Sequence, residues 1–127
     1  MTNIIFRKAE LDFLLNSPAG AVGRYIARKG SVIKATAQRQ VGVRTGALRR
    51  SINTRHRRNS RGQFILIGSS LDYALAHHQG TKPHIITPNR SQVLRFVRGS
   101  AVIYATSVRH PGTRPNRYLT DNLKLVK

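Results

Sequence analysis

SPAGAVGRYIARKGSVIKATA, residues 17–37, decides how the rest of this chain folds. Ser17 carries an oxygen able to cap free helix amides, and Pro18 suits a first turn where no donor is needed, so the pair predicts a helix start. From there Ala19, Val22, Ile26, Ile33, Ala37 and Val41 recur at three-, four- and seven-residue steps, which is one apolar helix face. Arg24, Arg28, Lys34 and Arg39 take the other side. Gly42 and Gly46 interrupt the pattern in VGVRTG, leaving a helix of about 22 residues. A helix with one apolar face needs a second layer to cover it.

The flanking segments supply that layer. SINTRHRRNSRGQFILIGS, residues 51–69, predicts a β-hairpin: NSRG is turn chemistry with the turn expected at Asn59-Ser60, QFILIG is β-branched and apolar, and the Arg-rich tip spans 53–63. LDYALAHHQG predicts a short helix with Leu71, Ala74, Leu75 and His78 on one side and Gly80 as a left-handed cap. HIITP runs extended after Pro83, and QVLRFVRGSAVIYATSV predicts a second hairpin turning at Arg98-Gly99-Ser100. In RPNRYLTDNLKLVK, Tyr118, Leu119, Leu123 and Val126 sit at helical spacing behind Pro115. Before the long helix, residues 1–16 read as an arm: NIIFR as a short strand or extended piece, then LDFLL as one or two helical turns. The expectation is a single α+β domain over 1–127, with one long helix in its N-terminal half packed on an antiparallel sheet, a short middle helix and a C-terminal helix. Within it the tetrapeptide Gly80-Thr81-Lys82-Pro83 is echoed by Gly112-Thr113-Arg114-Pro115. Because the flanking elements run in opposite order, the echo reads as similar joint chemistry and not as a duplicated unit.

Composition narrows the function classes. The chain has 127 residues, 39% of them apolar, with 23 Lys and Arg against 4 Asp and Glu, a formal charge of +19. No acid stands between Asp12 and Asp72, where twelve Lys and Arg accumulate. Such a surface implies a polyanion or an acidic protein as neighbour, whereas a merely solvated surface normally mixes both signs. No cysteine is present, so disulfides, thiolate metal sites and cysteine nucleophiles are excluded together. No apolar run reaches bilayer length, which predicts a chain made in the cytoplasm. Glu10, Asp12, Asp72 and Asp121 are too dispersed to suggest paired-carboxylate chemistry, and His56, His77, His78, His84 and His110 form no HExxH or HxH pattern. There is no GxSxG elbow and no phosphate-binding GxxxxGK[ST] loop, so no catalytic, cofactor or metal residue is assigned. RRSINTRHRRNSRG, residues 49–62, does place seven bases in fourteen residues. Arg49, Arg50, Arg55, Arg57, Arg58 and Arg61 are therefore the candidate contacts to nucleic acid or an acidic partner. With no stacking platform or helix-turn-helix spacing, contact to DNA would be to its backbone, without sequence preference.

Taken in order, SPAGAVGRYIARKGSVIKATA, VRTGALRRSI, IGSSLDYALAHHQGTKP and HPGTRPNRYLTDNL resemble the small head-to-tail joining proteins of long-tailed phages, the neck, minor tail or tail-completion type. In that family a long helix ends in a Thr-Gly-x-Leu-x-x-Ser-Ile turn, matched by Thr45, Gly46, Leu48, Ser51 and Ile52. A strand then leads to a Tyr-Ala…Gly-Thr segment, matched by Tyr73, Ala74, Gly80 and Thr81. An Arg-Pro-x-x-x-Leu helix start is matched by Arg114, Pro115 and Leu119. The likeness covers most of residues 17–123. It departs at Asn116-Arg117-Tyr118-Leu119, where family members commonly have Pro-Phe-Leu, and in its far more basic surface. The resemblance implies a non-enzymatic ring subunit without cofactor, located in the virion at the junction of capsid and tail and in the host cytoplasm during assembly. The implied partners are copies of itself, the connector or head-closure and tail-terminator or tail-tube proteins, and the backbone of the passing genomic DNA, with no membrane. The alternative, from a different class, is a nucleic-acid packaging protein acting as monomer or dimer.

Overall fold

A computed structural model describes residues 3–5 and 7–126 and shows a mixed α+β chain. Its helices are α1 (Lys8–Asn16), α2 (Ala21–Gln40), α3 (Ala47–Ser51), α4 (Ala74–Gln79) and a terminal 3-10 helix (Thr120–Val126). Its strands are β1 (Asn53–Asn59), β2 (Gly62–Gly68), β3 (His84–Ile86), β4 (Leu94–Arg98), β5 (Ala101–Ala105) and β6 (Val108–His110). The long helix is present but shifted. LDFLL extends into the nine-residue α1, so Ser17 closes that helix, its N–H bonding Phe13 O at 3.1 Å. Ser17 Oγ accepts the Ala19 N–H at 3.3 Å, and the Ser-Pro pair forms the bend between α1 and α2 instead of starting α2. No strand forms among Asn3, Ile4, Ile5 and Arg7. Met1, Thr2 and Phe6 of the expected arm, and Lys127 at the other end, lie outside the described residues.

The expected sheet is three separate antiparallel pairs, β1–β2, β3–β6 and β4–β5. Only the first packs along α2. There Gly30 has no side chain and Ile65 fills the space, lying 3.0 Å from where a Cβ would stand. The hairpin turn is Ser60-Arg61, one residue beyond Asn59-Ser60, because Asn59 pairs with Gly62 and its side chain accepts the Arg61 N–H at 2.9 Å. The second hairpin turns at Gly99-Ser100 as its sequence predicts.

The core gathers Ala37 and Val41 from α2, Leu48 and Ile52 around α3, Ala74 from α4, and Tyr118, with Ile67, Leu71 and Leu119 packed on its edge. Tyr118 is 1% exposed and donates its hydroxyl to Ala74 O at 3.3 Å. Pro115 does not open the last helix, which starts only at Thr120. Its neighbour Asn116 is held from outside, giving its N–H to His77 O at 3.1 Å and its amide to Gln40 O at 3.1 Å. Buried Asn122 extends this tie by donating to Gln40 Oε1 at 2.9 Å and to Tyr118 O at 2.6 Å. Bonds to α2 and α4 thus hold the backbone around Asn116 that a helix would have used.

The two Gly-Thr-base-Pro copies turn out to be partners. Thr81 and Thr113 exchange both backbone bonds at 3.0 Å. This pair has the register of β3–β6, so counting inward places Pro83 opposite Pro111, two residues without N–H, and the ladder breaks there. Gly80 and Gly112 have φ of +74° and +88°, and a Cβ on either would lie 2.5 or 2.4 Å from the facing threonine carbonyl. Gly80 has the expected positive φ, but its ψ of 174° sends the chain into this clasp instead of curling it into a left-handed cap. Beyond the clasp, β3–β6 and β4–β5 form a ribbon that leaves the body.

Candidate functional site

Pairing fixes which way the arginines of β1 point. Thr54 and His56 stand opposite Ile67 and Ile65, on the side that meets α2. Arg55 and Arg57 stand opposite Leu66 and Phe64, and alternation turns them away from α2. The outer face of the hairpin is therefore two guanidinium groups, about 7 Å apart along the strand, beside one aromatic and one aliphatic side chain. At its base a cleft of about 250 Å³ is lined by Arg55, Asn53, Ser51, Ser69 and Ser70. Ser51 donates to Leu48 O at 2.7 Å, so at the 2.6 Å contact between hydroxyls Ser69 donates and Ser51 accepts. That chain of bonds locks the hairpin to the end of α3.

The other four arginines lie elsewhere. Arg58 sits opposite Gln63, whose amide donates to Leu15 O, so it is on the side nearer α1. Arg61 is in the turn. Arg49 and Arg50 are on α3, with Arg50 folded back so that its Nη1 reaches Thr45 O at 3.4 Å. All six are exposed. Among the described residues one ion pair forms, Arg7 to Glu10 at 3.0 Å, so no described carboxylate answers these arginines. Such planar donors suit phosphate or carboxylate oxygens.

The family-motif positions have structural work. Gly46 has φ of +79°, Thr45 Oγ1 accepts the Ala47 N–H at 3.3 Å, and Leu48 and Ile52 enter the core. Gly80, Thr81, Arg114 and Pro115 build or flank the clasp, Leu119 packs on the core edge, and Tyr73 is exposed just before α4. His77 and His78 diverge, as adjacent helix residues must: His78 Nε2 meets Thr120 Oγ1 at 3.4 Å, while His77 turns toward Gly42. His77 lines a cleft of about 330 Å³ with Tyr73 and residues 42–48, and its buried Nε2 has no hydrogen-bond partner. Sequence reasoning missed this cleft, because the closing of 42–48 on α4 is a tertiary contact with no local signature. Among the described residues no three of His, Asp and Glu come together as a metal-binding group, and no helix is long and apolar enough to cross a membrane. Burial pushes the Tyr118 phenol above its ordinary 10.

Comparison with protein-family models, curated proteins and solved structures returns no match.

Proposed function

We propose that this chain is a structural ring subunit of the head-tail junction of a long-tailed phage, joining the tail to the capsid connector around the DNA channel. One observation carries the reading. The chain has a solvent-accessible surface of 10471 Å² at 14.2 kDa, where a compact monomer of that mass has about 6,800 Å². Roughly 3,700 Å² is thus in excess, the scale on which obligate subunits bury surface against one another. Much of it is apolar: among the described residues, Ile85, Val97 and Tyr104 on the ribbon are more than 60% exposed. A subunit of this kind completes its burial in an assembly. The neck is supported as that assembly by the order of the Thr45–Ile52, Tyr73–Thr81 and Arg114–Leu119 motifs, and the unanswered charge suits a channel through which DNA passes.

The test is mass by light scattering and negative-stain images of the purified chain, at raised salt and without nucleic acid, with labelled chain then located in virions. Rings, alone or with a neck protein, and density at the junction are the expected results. The second reading, a packaging protein, is favoured by the outward placement of Arg55 and Arg57. A chain that stays monomeric or dimeric, binds duplex directly and is missing from the junction would replace the first reading with the second.

A further inference from the structure

From Thr81 to Arg114 no residue is buried, so the ribbon of β3–β6 and β4–β5 adds nothing to the core it leaves. The same stretch carries Lys82, Arg90, Arg95, Arg98, Arg109 and Arg114 and no acid. All six are exposed, and among the described residues no carboxylate pairs with any of them. The outer pair of strands has two unlike faces. Register puts Arg95 opposite Tyr104 and Val97 opposite Val102, and alternation gathers these four on one face. All four are exposed, Val97 and Tyr104 by more than 60%. Leu94, Phe96, Ile103 and Ala105 make up the other face and are half-buried. The uncovered face is thus a guanidinium group beside a phenol and two valines. Arg98 stands at the tip, next to the Gly99-Ser100 turn, and Arg90 lies in the bend between β3 and β4.

We propose that this arm lies in the major groove of duplex DNA, with the Arg95–Tyr104 face toward the base edges and Arg90 and Arg98 toward the phosphates. Three features choose that occupant. Charge of one sign, unanswered within the chain, calls for a polyanion. Width selects the groove, because two strands side by side enter a major groove of about 12 Å but not a minor groove of about 6 Å. The five residues of β4 extend about 17 Å, more than the major groove's depth of about 8.5 Å. Composition fits the floor, where guanine offers acceptors to Arg95 and thymine offers a methyl group to Val97 and Val102. The arm is separate from the arginines of β1, which stand on another hairpin. The inference rests on the chain meeting duplex DNA, which the ring and packaging readings share, and not on how many copies assemble.

The test uses the whole chain and a labelled duplex of mixed sequence. Anisotropy follows binding across a salt series, and dimethyl sulfate then probes guanine N7, an atom on the major-groove edge. Wild-type chain should protect N7. Arg90→Gln with Arg98→Gln should lower the salt slope by about 1.8, at 0.9 for each neutralised phosphate. Val97→Asp, which sets a carboxylate on the uncovered face, should weaken binding at least about tenfold and abolish the protection. These positions are exposed, so thermal unfolding should not change. Wild-type binding without N7 protection would overturn the proposal, and so would a Val97→Asp chain that protects as wild type does. An unchanged slope in the arginine variant, with loss of a neck protein instead, would give the ribbon to an acidic protein and overturn it too. A monomeric chain that meets every expectation would sink the ring reading and leave the arm standing. Rings at the virion junction whose ribbon variants bind and protect like wild type would do the reverse.

Discussion

Tyr118 is the largest fully buried side chain together with Ile52, and its hydroxyl satisfies a core carbonyl. Tyr118→Phe leaves Ala74 O without that partner, so unfolding in urea at pH 7 should show a loss of about 1 kcal/mol. The pH dependence has a definite sign. The folded phenol titrates above the unfolded value of 10, so its contribution is complete below pH 10 and is lost as pH rises through the folded value. The gap between wild type and Tyr118→Phe should therefore narrow above pH 10, and a constant gap would show that the phenol ionises alike in both states. The clasp gives a second test. Gly80→Ala and Gly112→Ala each force a β-carbon against the facing threonine carbonyl at positive φ, and each should lose roughly 1–3 kcal/mol. Both break one clasp, so the double variant should lose clearly less than the sum. Full additivity would mean that the two glycines act separately.

Helix α2 meets the body through Ile33, Ala37 and Val41, while Val32 faces water. Ile33→Ala should cost about 2–5 kcal/mol and Val32→Ala under about 0.5, read by thermal unfolding; similar losses would mean the wrong face has been assigned. In the hairpin, Arg55→Gln with Arg57→Gln should flatten the salt slope of duplex binding by about 1.8, at 0.9 for each neutralised phosphate. The pair Arg49→Gln with Arg50→Gln, at the base, should change it less. The reverse ranking would move the contact to α3. What was legible in the sequence follows from the range of the forces involved. Helical periodicity in α2 and turn chemistry at Gly62 and Gly99 are local, and both appeared from spacing alone. The starts of α2 and of the last helix were misread, because Ser17 and Pro115 respond to partners outside their own segments, α1 in one case and the Asn116 bonds in the other. The clasp left a visible trace as a repeated tetrapeptide, yet nothing local says that two copies pair. Of the site, the arginines were legible as a cluster, and only strand register divides them between faces.

The whole molecule combines a small core with a large charge of one sign. Self-repulsion over tens of ångströms is screened by salt, so the melting temperature should rise between low salt and about 0.5 M, where the screening length falls to a few ångströms. A flat response in calorimetry would mean that the charges are already balanced by bound anions. The tie between the Gln40 end of α2 and residues 116–122 joins positions 76 and 82 residues apart in the chain. Its consequence is temporal. A ribosome delivers α2, α3 and both hairpins before it delivers Tyr118, so the nascent chain carries Ala37 and Val41 without the ring that seals them. Closure is a late, long-range event and hence a slow one. Until then the apolar side of α2 stays open to water at its Gln40 end.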